Sequence, residues 1–272
     1  MKPLETSINF IKKLVKGCII NNLFSLANEL TYKLTFAFFP FILFLVSLIG
    51  FFNLSEQSIV SGLSSALPAD IASFVEATVS ELTHNPNKGI LSLSLIVALF
   101  SASSGFNAVI KGINKAYDET EKRNPIYVRA LAATLVIIFA LSIICSVLVF
   151  VFGDSIHETA TRRFGLPPGG VLQLVFGLAG YLLVMLFLLF TIIMVYKFGS
   201  CKKLTIFEVF PGAAVTLIFW VLSSELFNIY VNNFSRYSTI YGSIGSVIIL
   251  LLWLNLISIV LLIGVEINAL LR

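Results

Sequence analysis

Charge is what this sequence has least of. Of its 272 residues 12% are Asp, Glu, Lys or Arg, roughly half the share of an ordinary soluble domain. Cysteine is nearly absent too: Cys18, Cys145 and Cys201 fall within apolar runs or on the predicted inner side, so no disulfide framework is expected. The two histidines, His84 and His157, lie far apart in predicted outer segments. A solvated loop histidine is the simpler reading there, and no metal or cofactor is expected. Also missing are a Ser/His/Asp set in one compartment, a P-loop and a zinc motif, so no catalytic residue is assigned. The first 25 residues lack the uninterrupted apolar core and cleavage site of a signal peptide.

What the sequence has instead is long apolar runs, in a chain that is 58% hydrophobic. A spanning helix needs about 20 mainly apolar residues. Six runs qualify, at 31–53, 90–110, 130–153, 171–196, 207–231 and 241–270. The predicted fold class is therefore all-α: one polytopic membrane domain over 1–272, with six transmembrane helices. A β-barrel would show short alternating strands instead. The second run is rich in Ser, Ala and Gly between Ser92 and Gly105, which predicts a helix enclosed by others.

Orientation follows from the basic residues. With the N-terminus inside, only Lys88, Arg162, Arg163 and Arg236 of the 18 Lys and Arg fall on the outer side. Both termini are then cytoplasmic, and the net charge of +4 is a topology signal rather than a nucleic-acid footprint. Residues 1–27 predict an amphipathic helix, with Phe10, Ile11, Leu14, Val15, Cys18 and Ile19 on one side and Lys12, Lys13 and Lys16 on the other. Two destinations fit its apolar stripe: the inner membrane interface, or the bundle itself. The segment 54–89 predicts one or two short helices after Pro68. Gly165, Pro167, Pro168, Gly169 and Gly170 mark a turn.

Ionisable groups inside spans are costly and draw attention. Glu29 precedes Lys33 by four residues and predicts a local ion pair. Glu208, at a helix start, predicts a cap. Glu225 lies in the fifth run. Glu266 lies beside Gly264 near the inner boundary, with Asn268 half a turn on. Structural glue between helices and a gate or proton site both fit it. Asp118, Glu119 and Glu121 sit among bases and predict a salt-bridged cytoplasmic segment rather than a metal centre. The run Gly242-Ser243-Ile244-Gly245-Ser246 fits either close helix packing or an anion site at a helix start.

Several blocks resemble the YihY/BrkB family of bacterial inner-membrane proteins. They are Leu30-Thr31-Tyr32 with Phe38-Phe39-Pro40-Phe41, the run SASSGFNA from Ser101 to Ala108, Asn114 to Asp118 and Glu121-Lys122-Arg123. Further on come Pro211-Gly212-Ala213, Phe227 to Tyr230, YSTIYGSIGS from Tyr237 to Ser246, Trp253 and Gly264 to Asn268. Lys33 and Ser104 depart from the family pattern. The resemblance implies a six-helix protein of the bacterial cytoplasmic membrane. Virulence and ribonuclease labels both attach to the family. A ribonuclease needs acid–base or metal machinery in a wet basic cleft, and the short inner segments here supply no such set.

The expected function is transporter-like, for a lipid or an amphipathic envelope precursor. Asn107, Asn114, Tyr117, Asp118 and Glu266 would then form an inner polar cluster beside Asn268, and Tyr237, Tyr241, Gly242 and Ser243 would line the outer end. Membrane lipids and a lipid or solute substrate are the expected partners, and nucleic acid is not. The alternative is a non-transporting scaffold or assembly factor, in which the same residues only pack. The sequence leaves oligomeric state open.

Overall fold

The computed structural model describes residues 2–51, 88–164, 171–233 and 243–272. They form seven helices: α1 Lys2–Ile20, α2 Leu23–Phe51, α3 Lys88–Ala116, α4 Pro125–Phe164, α5 Val171–Gly199, α6 Ile206–Asn233 and α7 Ser243–Leu271. The expected helices in 54–89, the turn at 165–170, and Tyr237, Tyr241 and Gly242 lie outside the described residues.

Among the described residues five helical segments are long and apolar enough to cross a membrane. They are Ser92–Ala116, Pro125–Ser146, Leu178–Gly199, Ile206–Phe227 and Val247–Leu271. The first expected span, 31–53, coincides with α2 up to Phe51. Large apolar side chains on the outer walls are open, among them Leu182, Leu186, Phe190, Phe219 and Leu222. Such a continuous apolar wall fits hydrocarbon and not water. The chain is a polytopic helical membrane protein.

The six long helices close a ring in which α2 packs on α3, α3 on α4, α4 on α5, α5 on α6, α6 on α7 and α7 back on α2. α3 and α7 also touch across the ring. α3 is the most enclosed candidate span, with 41% of its window buried against 28% for those in α4, α5 and α6. Its small residues explain this: a Cβ on Gly112 would meet Leu262 of α7, and one on Gly105 would press on Leu34 of α2. The main core gathers around Ala108, Ile110 and Ile113 of α3, with Ala132 and Leu135 of α4, Tyr196 of α5, Val209 of α6 and Val265 of α7.

Two helix boundaries differ from expectation. The amphipathic helix was placed at 1–27 but stops at Ile20, because Asn22 takes a left-handed backbone (φ 51°) and its N–H closes on Ile19 C=O at 3.1 Å. The third span was placed at 130–153, but α4 runs from Pro125 to Phe164. At 1.5 Å per residue, 40 residues reach about 60 Å, twice a bilayer core of about 30 Å. Charges after Asp154 end the apolar run without ending the helix, since no Gly or Pro interrupts it from there to Phe164.

α1 carries two apolar faces, one packed on the bundle and one exposed. Leu14 and Cys18 pack with Leu23 and Ala27 of α2 and Leu262 of α7. Ile8, Ile11, Val15 and Ile19, at spacings of three and four, form a separate exposed stripe beside the exposed Lys12, Lys13 and Lys16.

Candidate functional site

Starts and ends of helices meet at the end of the bundle that carries most of the basic residues. α3 closes there in a left-handed cap: Asp118 has φ 53°, its N–H reaches Lys115 C=O at 3.1 Å, and Glu119 N–H reaches Asn114 C=O at 2.8 Å. The cap turns the chain so that Glu121 and Arg123 face the C-terminus of α5. Arg123 chelates Glu121 through Nε (2.9 Å) and Nη2 (2.7 Å) and also donates to the carbonyls of Phe198, Gly199 and Ser200 at 3.2, 2.8 and 3.4 Å. Those carbonyls are the unpaired end of a helix, where a cation is favoured.

Asn114 completes this clamp. Its Nδ2 donates to Glu121 Oε2 (2.9 Å), and its Oδ1 accepts the Cys201 N–H (2.7 Å). The Cys201 thiol donates to Glu121 Oε1 at 3.1 Å. Arg123 holds the Glu121 carboxyl far down, at about 2, mainly by their hydrogen bond. The Cys201 thiol is pushed up, first by burial and then by its bond to Glu121. Burial also lifts the Tyr117 phenol to about 12, so it stays neutral near Arg272 and Glu208.

Asn268 serves a different contact. It is 2% exposed; its Oδ1 accepts the Gly212 N–H (2.6 Å) and its Nδ2 donates to Val209 C=O (3.0 Å). These groups flank Pro211, which cannot donate to the helix ladder. The same α6–α7 crossing needs Gly264. A Cβ there would run into Thr216 Oγ1 and the Tyr196 hydroxyl, which donates to Leu261 C=O at 2.6 Å. Glu208 caps α6 as expected, accepting from the Thr205 N–H and hydroxyl at 2.8 Å each.

Glu266, 4% exposed, faces α1 instead. Both its oxygens accept from Asn21 Nδ2 at 3.1 Å. Asn107 is half-buried two turns up α3 from Asn114. The residues of the expected inner cluster serve several contacts: Asn114 is in the Arg123 clamp, Asp118 forms the helix cap and its charge reaches Glu266, Asn268 holds α6, and Glu266 holds the end of α1. Ser243 opens α7, at the other end of the bundle.

One polar feature went unread in the sequence. Between α2 and α7, Asn255 Nδ2 donates to Asn28 Oδ1 (2.8 Å) and lies 3.2 Å from Thr31 Oγ1, which bonds Ser258 Oγ at 3.3 Å. Thr31 and Ser258 are buried, while Asn28 is exposed on the flank. Asn255 lies 11 residues, about 16 Å, along α7 from Glu266. Elsewhere Glu29 pairs with Lys33 as expected, and Lys111 approaches it to 3.5 Å. Among the described residues no group of His, Cys, Asp and Glu is placed to hold a metal ion.

Comparison with known proteins places this architecture. The chain is 34% identical over 265 residues to the ribonuclease-like protein YfkH of Bacillus subtilis, covering 97% of this chain and 96% of that one. It is 26% identical to a membrane protein of Histophilus somni (92% and 86% covered) and 27% identical to one of Actinobacillus pleuropneumoniae (91% and 87% covered). No solved structure matches it. The family model described as virulence factor BrkB matches residues 15–272, which takes in the α1 contact, the Arg123 clamp, the α2–α7 seam and the α6–α7 crossing alike, and the chain belongs to that family of membrane proteins.

Proposed function

We propose that the protein is a transporter-like component of the bacterial cytoplasmic membrane that moves a lipid or amphipathic envelope precursor along the α2–α7 seam. The observation that carries this reading is the seam itself: four hydrogen-bonded polar side chains, with Asn28 open on the flank of an apolar wall. An exposed amide beside an apolar wall is open to a further hydrogen-bonding partner. A headgroup sliding along the seam would satisfy it, while acyl chains remain in the bilayer. The basic end, with Lys111, Lys202, Lys203 and Arg272, is the cytoplasmic side by the positive-inside bias, and both termini lie there.

The reading is non-enzymatic, although YfkH is named ribonuclease-like. At the basic end Glu121 is engaged by Arg123, Glu29 by Lys33, and Glu208 by Thr205. Acids so engaged are poorly placed to act as general bases. The test is lipid and solute flux in proteoliposomes, comparing the native chain with an Asn255→Leu, Thr31→Val double variant. Flux lost in a variant of unchanged abundance supports the seam. A native chain that moves no lipid or solute class overturns the reading in favour of a scaffold.

A further inference from the structure

We propose that Glu266 is a proton-binding site whose occupancy decides whether α1 lies seated on the bundle. This holds whether or not the seam moves lipid. Among the described residues α1 packs on α7 and α2, and its apolar footing there is small, essentially Leu14 and Cys18. Gly17 of α1 has no side chain and lies directly against the Glu266 carboxylate; a Cβ there would collide with Oε1. One turn on, Asn21 spans both carboxylate oxygens. α1 is therefore the cover of a buried acid.

The cover is poorly furnished for an anion. An ionised carboxylate offers about four acceptor positions, and here one amide nitrogen serves both oxygens. The groups that face Glu266 are Cys18 of α1, Asn21 in the turn after it and Asp118 after α3, and the charge that reaches it is Asp118, another acid. α2, α3, α5 and α6, the other elements against α7, bring no basic partner to it among the described residues, and the Tyr196 hydroxyl of α5 is spent on Leu261 C=O and Thr216. Lys12, Lys13 and Lys16 are on the exposed side of α1. A buried charge with no cation is expensive, and a bound proton removes it. Seating and protonation then favour each other. When α1 lifts, water reaches the acid and the proton leaves. Seating is stable at low pH and is lost as pH rises.

Cys18 reports the state of the cover, because it lies on the buried face of α1. The experiment uses the full chain with Cys145→Ser and Cys201→Ser, in phosphatidylcholine nanodiscs, and a membrane-impermeant maleimide. The labelling rate of Cys18 is divided, at each pH, by that of the same protein carrying Glu266→Gln, which stays neutral. The ratio is expected to be near one under acid conditions and to climb with pH, by at most about tenfold per pH unit because one proton is linked. Burial first, and then the field of an ionised Glu266, push the Cys18 thiol up; that field would lower the ratio, so a rise reports uncovering. Gly17→Ala, whose added methyl would press on the Glu266 carboxylate, is expected to label faster than its parent even in acid. A flat ratio overturns the proposal, as does a Gly17→Ala chain as protected as its parent. A ratio that follows sodium at fixed pH, with choline as the replacement, also overturns it.

Discussion

At the scale of single residues, Asn268 and Gly264 show how little side chain holds the centre together. Replacing Asn268 by Ala would leave the buried Gly212 N–H without its acceptor and Val209 C=O without this donor. A buried polar group left unsatisfied costs about 1–3 kcal/mol. Thermal unfolding in detergent should show a clearly lowered Tm for Asn268→Ala and for Gly264→Ala. Asp118 should behave oppositely. Its left-handed backbone is a conformation glycine adopts freely, so Asp118→Gly should hold or raise Tm by relieving about 1 kcal/mol. The sequence showed Glu266 and Asn268 as buried polar residues near the inner boundary, but placed them in one cluster. Positions i and i+2 of a helix do not share a face, so one serves α1 and the other α6. Asn21 carried no signal, because its partner is 245 residues away.

At the scale of elements, the Arg123 clamp ties the α3–α4 connection to the end of α5. Its pH dependence follows from Glu121. The carboxyl lies at about 2 in the fold against an ordinary 4.5, so the clamp's contribution is fully present above about pH 4.5 and fades as pH falls toward 2. Melting curves between pH 6 and pH 3 should therefore show a steeper acid loss in the native chain than in Arg123→Gln, where the pair is already broken. Equal slopes would mean that Glu121 is not held this way. The lengths of α1 and α4 show what an apolar run can and cannot convey. Hydropathy marks where a helix meets lipid, and so the candidate spans were legible. Helix ends are set by backbone devices such as Asn22 and Asp118, which a hydropathy window does not see. Glu208 was the exception, since a Thr and a Glu three residues apart are a local cap signal.

At the scale of the whole molecule, a ring of long helices buries its small-residue helix and presents apolar side chains outward. The membrane class was therefore readable from composition and run length alone. The α2–α7 seam was not, because Asn28, Thr31, Asn255 and Ser258 are ordinary residues until two antiparallel helices bring them together. Polar side chains in a span are satisfied across helices, and pairing across helices leaves no trace at short range. The central claim, that this seam receives a lipid-like substrate, is tested most directly by mass spectrometry of the small molecules held by the protein in native-membrane nanodiscs. The account predicts one lipid or envelope precursor enriched well above the bulk membrane, and that enrichment lost in Asn255→Leu at unchanged abundance. Bulk lipid composition in both proteins would contradict it.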